Sequence, residues 1–138
     1  MRLVGVARFG DDAIHEAAHA VVAHACGGRV HSLSLTQAEV SYPAGSVGLL
    51  VAHLAGPVAE TGGLDWSHAE ALMLRHGLDW KTTLVVERES KRIVDDLFAE
   101  IERVARVLRR CGVLDREEFL SWVHDVFPVD WAKPWEDA

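Results

Sequence analysis

Two histidines four positions apart, His15 and His19, constrain this chain more than any other feature. They sit in the run Asp12-Ala-Ile-His-Glu-Ala-Ala-His-Ala-Val-Val-Ala-His-Ala-Cys-Gly-Gly. Asp11 and Asp12 are good residues for starting a helix. Gly27 and Gly28 are good residues for stopping one, and the interior is rich in alanine. The pattern predicts a helix over 12–26. Positions i and i+4 of a helix stack on one face. Both imidazoles can therefore turn to one tetrahedral metal ion.

Glu16 is offset from His19 by about 60° around the axis, at about 100° per residue. It is poorly placed to join the two histidines as a ligand and well placed to reach a water activated by the metal. That is the geometric content of the H-E-x-x-H motif: two ligands and one general base. The metzincin extension would need Gly at Val22 and His at Ala25, so that class is excluded. His24 lies about 140° from the ligand face and is expected to meet solvent or a hydrogen-bond partner. A third ligand has to come from a later element.

The 138 residues suit one domain with one core. The net charge of −7 argues against nucleic acid as a main partner. The first ten residues lack the long apolar stretch of a secretory signal, and no apolar run approaches the ~18 residues of a membrane span. The expectation is a cytoplasmic protein with no membrane partner. Cys26 and Cys111 fit no zinc pattern and are expected to be reduced, buried thiols. No phosphate-binding G-x-x-x-x-G-K-[ST] loop is present, so the chain is not itself an ATPase.

A lead-in at 1–11, with a short strand over 3–7, precedes the first helix. Val30, Leu33 and Leu35 alternate imperfectly with polar residues and predict a strand over 29–36. His31 on this strand is a weak ligand candidate. Residues 37–46 are expected to form a loop marked by Tyr-Pro-Ala-Gly. Ser46 can cap a second helix over 47–61, which Pro57 should kink or split. That helix carries His53 and Glu60. A carboxylate in so apolar a stretch needs a partner. Glu60 can be a third metal ligand, a hydrogen-bond partner of His15 or His19, or the polar end of its helix.

Asp65 opens a third helix, ending near Gly77, as its cap or as a metal ligand. Asp79 can cap a long helix reaching Arg110, with Ile93, Leu97, Ile101, Val104 and Leu108 on its apolar face. The polar run 87–92 is a solvated turn or a break. Asp115 and Glu118 have the spacing of a capping box and open a last helix to Val126. Residues 127–138 form an extended tail carrying Trp131 and Trp135.

Taken in order, these blocks resemble the zinc peptidase domain of the FtsH-type AAA proteases. His-Glu-Ala-Ala-His-Ala-Val-Val is close to that family's H-E-A-G-H-A motif. Gly-Gly-Arg-Val-His-Ser-Leu-Ser-Leu looks like its helix-to-strand turn, and Leu54-Ala-Gly-Pro-Val-Ala-Glu60 like its G-G-x-x-A-E helix. Asp65-Trp-Ser-His-Ala69 matches the segment in which an Asp, followed four residues later by Ala, supplies the third zinc ligand. The resemblance spans roughly residues 12–126. It implies His15, His19 and Asp65 as zinc ligands, Glu16 as the base, and a structural or supporting role for Glu60. Ala18 stands where the family usually has Gly, Pro57 is unusual in the second helix, and the loop before that helix is short. The family's ATPase module and membrane anchor are missing from this sequence.

The expectation is a mainly helical, zincin-like domain with a short strand or hairpin, holding one Zn2+. It would hydrolyse peptide bonds in unfolded protein or peptide, with a separate unfoldase or a homo-oligomer as further partner. If the strand at 30–35 is an edge, it could bind substrate by strand addition. Two rivals stand beside this reading. One is a peptidase-like zinc-binding interaction module without activity. The other is a hydrolase acting on a non-peptide amide.

Overall fold

The computed structural model describes residues 11–41, 48–61, 70–71, 73–75 and 77–126. The architecture is mainly helical, with one small antiparallel sheet. In chain order the elements are α1 (Asp11–Ala25), β1 (Arg29–Ser34), β2 (Ala38–Ser41), α2 (Gly48–Thr61), α3 (Trp80–Asp96), α4 (Phe98–Cys111), β3 (Val113–Asp115) and α5 (Arg116–Trp122). The expected strand at 3–7, the cap at Ser46, Asp65 and the tail at 127–138 lie outside the described residues.

α1 is the central element. Ala13, Ala17, Ala20, Val21, Val22 and Ala23 are all buried, on faces that together encircle the helix. α2, α4 and the sheet pack around it. Its end is built as the glycines predict. Gly27 takes a φ of 86°, which an L-residue with a side chain rarely adopts. The Gly28 N–H donates to the Ala23 carbonyl at 2.8 Å and the Gly27 N–H to His24 at 3.2 Å, a Schellman closure. His24 is half-buried rather than solvent-facing, with its ring edge-on to Phe119 at 5.9 Å. Burial, and then the Arg116 charge, lower its pKa.

The sheet order is β2-β1-β3, and β1 is antiparallel to both neighbours. β1 is therefore the central strand, which corrects the expectation that it could offer a free edge to substrate. Among the described residues the edges are β2 and β3. β2 itself forms inside the expected loop, pairing Val40 with Val30 and Ala38 with Leu33 across an irregularity between Val30 and Ser32. His31 sits at that irregularity. Its Nε2 lies 2.8 Å from Ser41 Oγ, away from the histidine pair on α1.

The expected long helix is two helices. The break falls at Leu97, not in the polar run 87–92, which stays helical in α3. Leu97 leaves the helical region (φ −106°, ψ 14°), yet its N–H still reaches Ile93 O and its carbonyl still accepts from Ile101 N. The bend divides the labour of one apolar stripe. α3 packs mainly on α2, and α4 packs on α1. Ile93, Ile101, Val104 and Leu108 are buried as the spacing requires.

Asp79 caps α3 by accepting from the Thr82 N–H at 2.7 Å. Asp115 and Glu118 form the reciprocal capping box at the start of α5, which ends at Trp122 rather than Val126. Phe119 on α5 is fully buried, contributing about 2–3 kcal/mol of apolar burial. Cys26 is buried, and burial raises its pKa; Cys111 is exposed, contrary to the expectation for both thiols. Among the described residues, no helix is long and apolar enough to cross a membrane.

Candidate functional site

His15 and His19 point into the seam between α1 and α2. Their rings meet edge to face, with centroids 4.8 Å apart and planes at 76°. The two Nε2 atoms are 3.2 Å apart. Two ligands at about 2.0–2.1 Å from one tetrahedral ion would stand about 3.3–3.4 Å apart. The nitrogens are thus already near the spacing that a shared ion requires.

The tautomer of His19 follows from its other nitrogen. Nδ1 lies 2.7 Å from the backbone carbonyl of Ala52 on α2. A carbonyl only accepts, so Nδ1 carries the hydrogen and Nε2 of the neutral ring keeps its lone pair. The contact between the two Nε2 atoms must then use a proton from His15. A metal ion would take that proton's place. Burial, reinforced by neighbouring His15, lowers the His19 pKa from 6.5 to about 3, against the opposing effect of the Ala52 hydrogen bond. His19 is therefore neutral at physiological pH, the form a metal ligand requires.

α2 reaches this geometry as one helix from Gly48 to Thr61, with Pro57 inside it. Pro57 does not split it. Packing against α1 and α3 holds the helix, and two of its carbonyls gain side-chain donors. Ser90 Oγ donates to Val51 O at 3.0 Å, beside the bond from His19 to Ala52.

Gly56, one turn after Ala52, faces the two imidazoles. A Cβ placed there would lie 2.5 Å from His19 Nε2 and 2.8 Å from His15 Nε2. The space at the two nitrogens is kept clear by the lack of a side chain. The spacing, the fixed tautomer and this cleared space make the pair fit a small divalent ion.

Glu16 is 4% exposed on the same helix. That burial holds its carboxylate out of bulk water. His53 on α2 is exposed, with its ring centroid 6.4 Å from that of His19. Glu60 lies in the last turn of α2 by its backbone; its side chain and all of Asp65 fall outside the described residues. Among the described residues, no group of three or more His, Cys, Asp or Glu side chains could hold an ion. Ala52 is the participant that sequence reasoning missed, because a backbone carbonyl leaves no mark in a side-chain motif. Gly56 had a signal: a glycine in the interior of a helix, directly before Pro57.

No family model, no characterised protein and no solved structure matches this chain. The likeness to FtsH-type peptidase domains rests on the sequence motifs alone.

Proposed function

We propose that this chain is a metal-dependent hydrolase, and more particularly a zinc peptidase of the FtsH-like kind acting on unfolded protein or peptide. The observation that carries the reading is the His15–His19 pair, with Nε2 atoms 3.2 Å apart and the His19 tautomer set by Ala52. His15 and His19 would hold the ion, with Asp65 as third ligand on the motif resemblance and Glu60 as a supporting carboxylate. Bound zinc would supply Lewis acidity to the scissile carbonyl and to water.

The remaining steps belong to the chain. Glu16 takes a proton from the attacking water as the water oxygen bonds to the carbonyl carbon. Glu16 then delivers that proton to the leaving nitrogen as the C–N bond breaks. The hydrogen bond to Ala52 keeps the His19 ring from rotating or changing tautomer while this happens. An unfoldase, or an assembly of copies that admits extended chains, would bring folded substrates within reach.

The second reading is a zinc-binding interaction module without hydrolytic activity. The short stretch between the sheet and α2 favours it, since the family resembled has substrate-contacting segments there. Incubation of wild type and Glu16→Gln with unfolded casein and short peptides, at measured metal content, separates the two. Cleavage by wild type and its loss in Glu16→Gln support the peptidase. Inert wild type with zinc bound supports the module.

A further inference from the structure

Ala17, Ala18 and Ala20 on α1 and Ala52 and Ala55 on α2 are all buried. Alanine is the small residue at these buried positions, and it is the best helix former. Gly56 departs from that rule in the interior of α2, directly before Pro57. Gly and Pro are the two residues least suited to a helix interior. Something other than helix–helix contact must hold glycine there.

The obstacle to a side chain at this position is specific. The three heavy atoms nearest to a Cβ at Gly56 all belong to the imidazoles: His19 Nε2 at 2.5 Å, His15 Nε2 at 2.8 Å and His15 Cδ2 at 2.9 Å. No backbone atom of α1 comes nearer. Even one methyl group would press on the two nitrogens that would bind the ion. It would have to displace the rings or occupy the space beside them.

We infer that Gly56 is a positioning residue of the histidine pair: its bare Cα reserves the space at both Nε2 atoms for a small cation. This rests on the metal-binding reading above. α2 then serves the site twice through its backbone. The Ala52 carbonyl orients His19, and Gly56 one turn later leaves room at the far side of the ring. Gly56 is a positioning residue and touches no reacting group of a substrate.

The test uses the full chain with zinc, and with cobalt(II) as a spectroscopic reporter. Gly56→Ala is measured in wild type and in the His15→Ala/His19→Ala background. The expected result in wild type is a loss of zinc affinity of about 10- to 100-fold, with the cobalt absorption bands weakened or shifted. In the histidine-free background the same substitution is expected to raise Tm, because alanine is the better helix former once the rings are gone. Undiminished zinc affinity in Gly56→Ala overturns the inference and leaves the metal site standing. A Gly56→Ala chain that fails to fold in both backgrounds also overturns it, since the obstacle then lies in helix packing. Wild type that binds neither ion defeats the metal-binding reading itself, and the inference with it.

Discussion

His19 Nδ1 and the carbonyl oxygen of Ala52 are 2.7 Å apart, joining a ring on α1 to the backbone of α2 across 33 positions of sequence. The bond lets α2 decide which nitrogen of the His19 ring faces His15.

Metal binding is expected at about one zinc per chain, lost in His15→Ala and in His19→Ala. Asp65→Ala should weaken binding more than Glu60→Ala. At free zinc 100 times the dissociation constant, stability should rise by about 2.7 kcal/mol over the chelator-treated protein. Titration calorimetry and thermal melts with and without EDTA check this. Zinc lost in Glu60→Ala but kept in Asp65→Ala would move the third ligand to α2.

Glu16→Gln should keep the fold and the zinc, because the amide is nearly isosteric with the carboxylate. Peptide hydrolysis should fall by a factor on the order of 10² or more, the scale of a lost general base. Metal content and initial rates on the same preparation provide the check. Equal rates for variant and wild type would remove Glu16 from the mechanism.

Acid should weaken the metal-free protein in a defined window. The folded chain holds His19 neutral down to about pH 3, whereas an unfolded histidine protonates near 6.5. The unfolded state therefore binds the extra proton first. The stabilising contribution is complete above about pH 6.5 and is lost progressively as pH falls to about 3, a total on the order of a few kcal/mol. Urea midpoints across this range in EDTA, for wild type and His19→Gln, measure it. A wild-type profile no steeper than that of the variant counts against the buried neutral ring.

Asp115→Ala should cost about 1 kcal/mol, since Asp115 accepts from the Glu118 N–H and Glu118 returns a bond to the Asp115 N–H. Asp115 also begins α5, whose Phe119 fills the core. A drop of a few degrees in Tm is the expected reading. An unchanged melt would mean that the box adds nothing beyond Phe119 packing.

What the sequence revealed was local. The face shared by His15 and His19, the glycine stop of α1 and the Asp115–Glu118 box are set by spacings of three to five residues, and each is legible as a pattern. The bend at Leu97 was not. Ile93, Leu97 and Ile101 keep helical spacing through it, no Gly or Pro marks it, and its cause is that α3 and α4 pack on different helices. β2 hid for the opposite reason. Ala38-Glu-Val-Ser41 is too short to announce a strand until Val30 and Leu33 supply its partners. Pro57 was read correctly as a residue foreign to helices, but packing decided the outcome. The meeting of Gly56 with the imidazoles depends on tertiary contact between α1 and α2, which no local pattern encodes.

The position of β1 between β2 and β3 has a consequence for the order of assembly. β2 follows β1 after a tight turn, so that pairing costs little chain entropy. β3 reaches β1 only when the chain closes a long loop; the Arg116 guanidinium donates to the Val30 carbonyl at 2.9 Å across 86 positions. Closing that loop brings Leu114 and Phe119 into the core, and its entropic cost is met only as those contacts form. The α1–α2 seam that holds the histidine pair closes a much shorter loop, 33 positions from His19 to Ala52. Refolding should therefore show the His19–Ala52 region gaining amide protection before β3 does. A chain ending at Gly112 would be expected to assemble the histidine pair while leaving β1 open along one side.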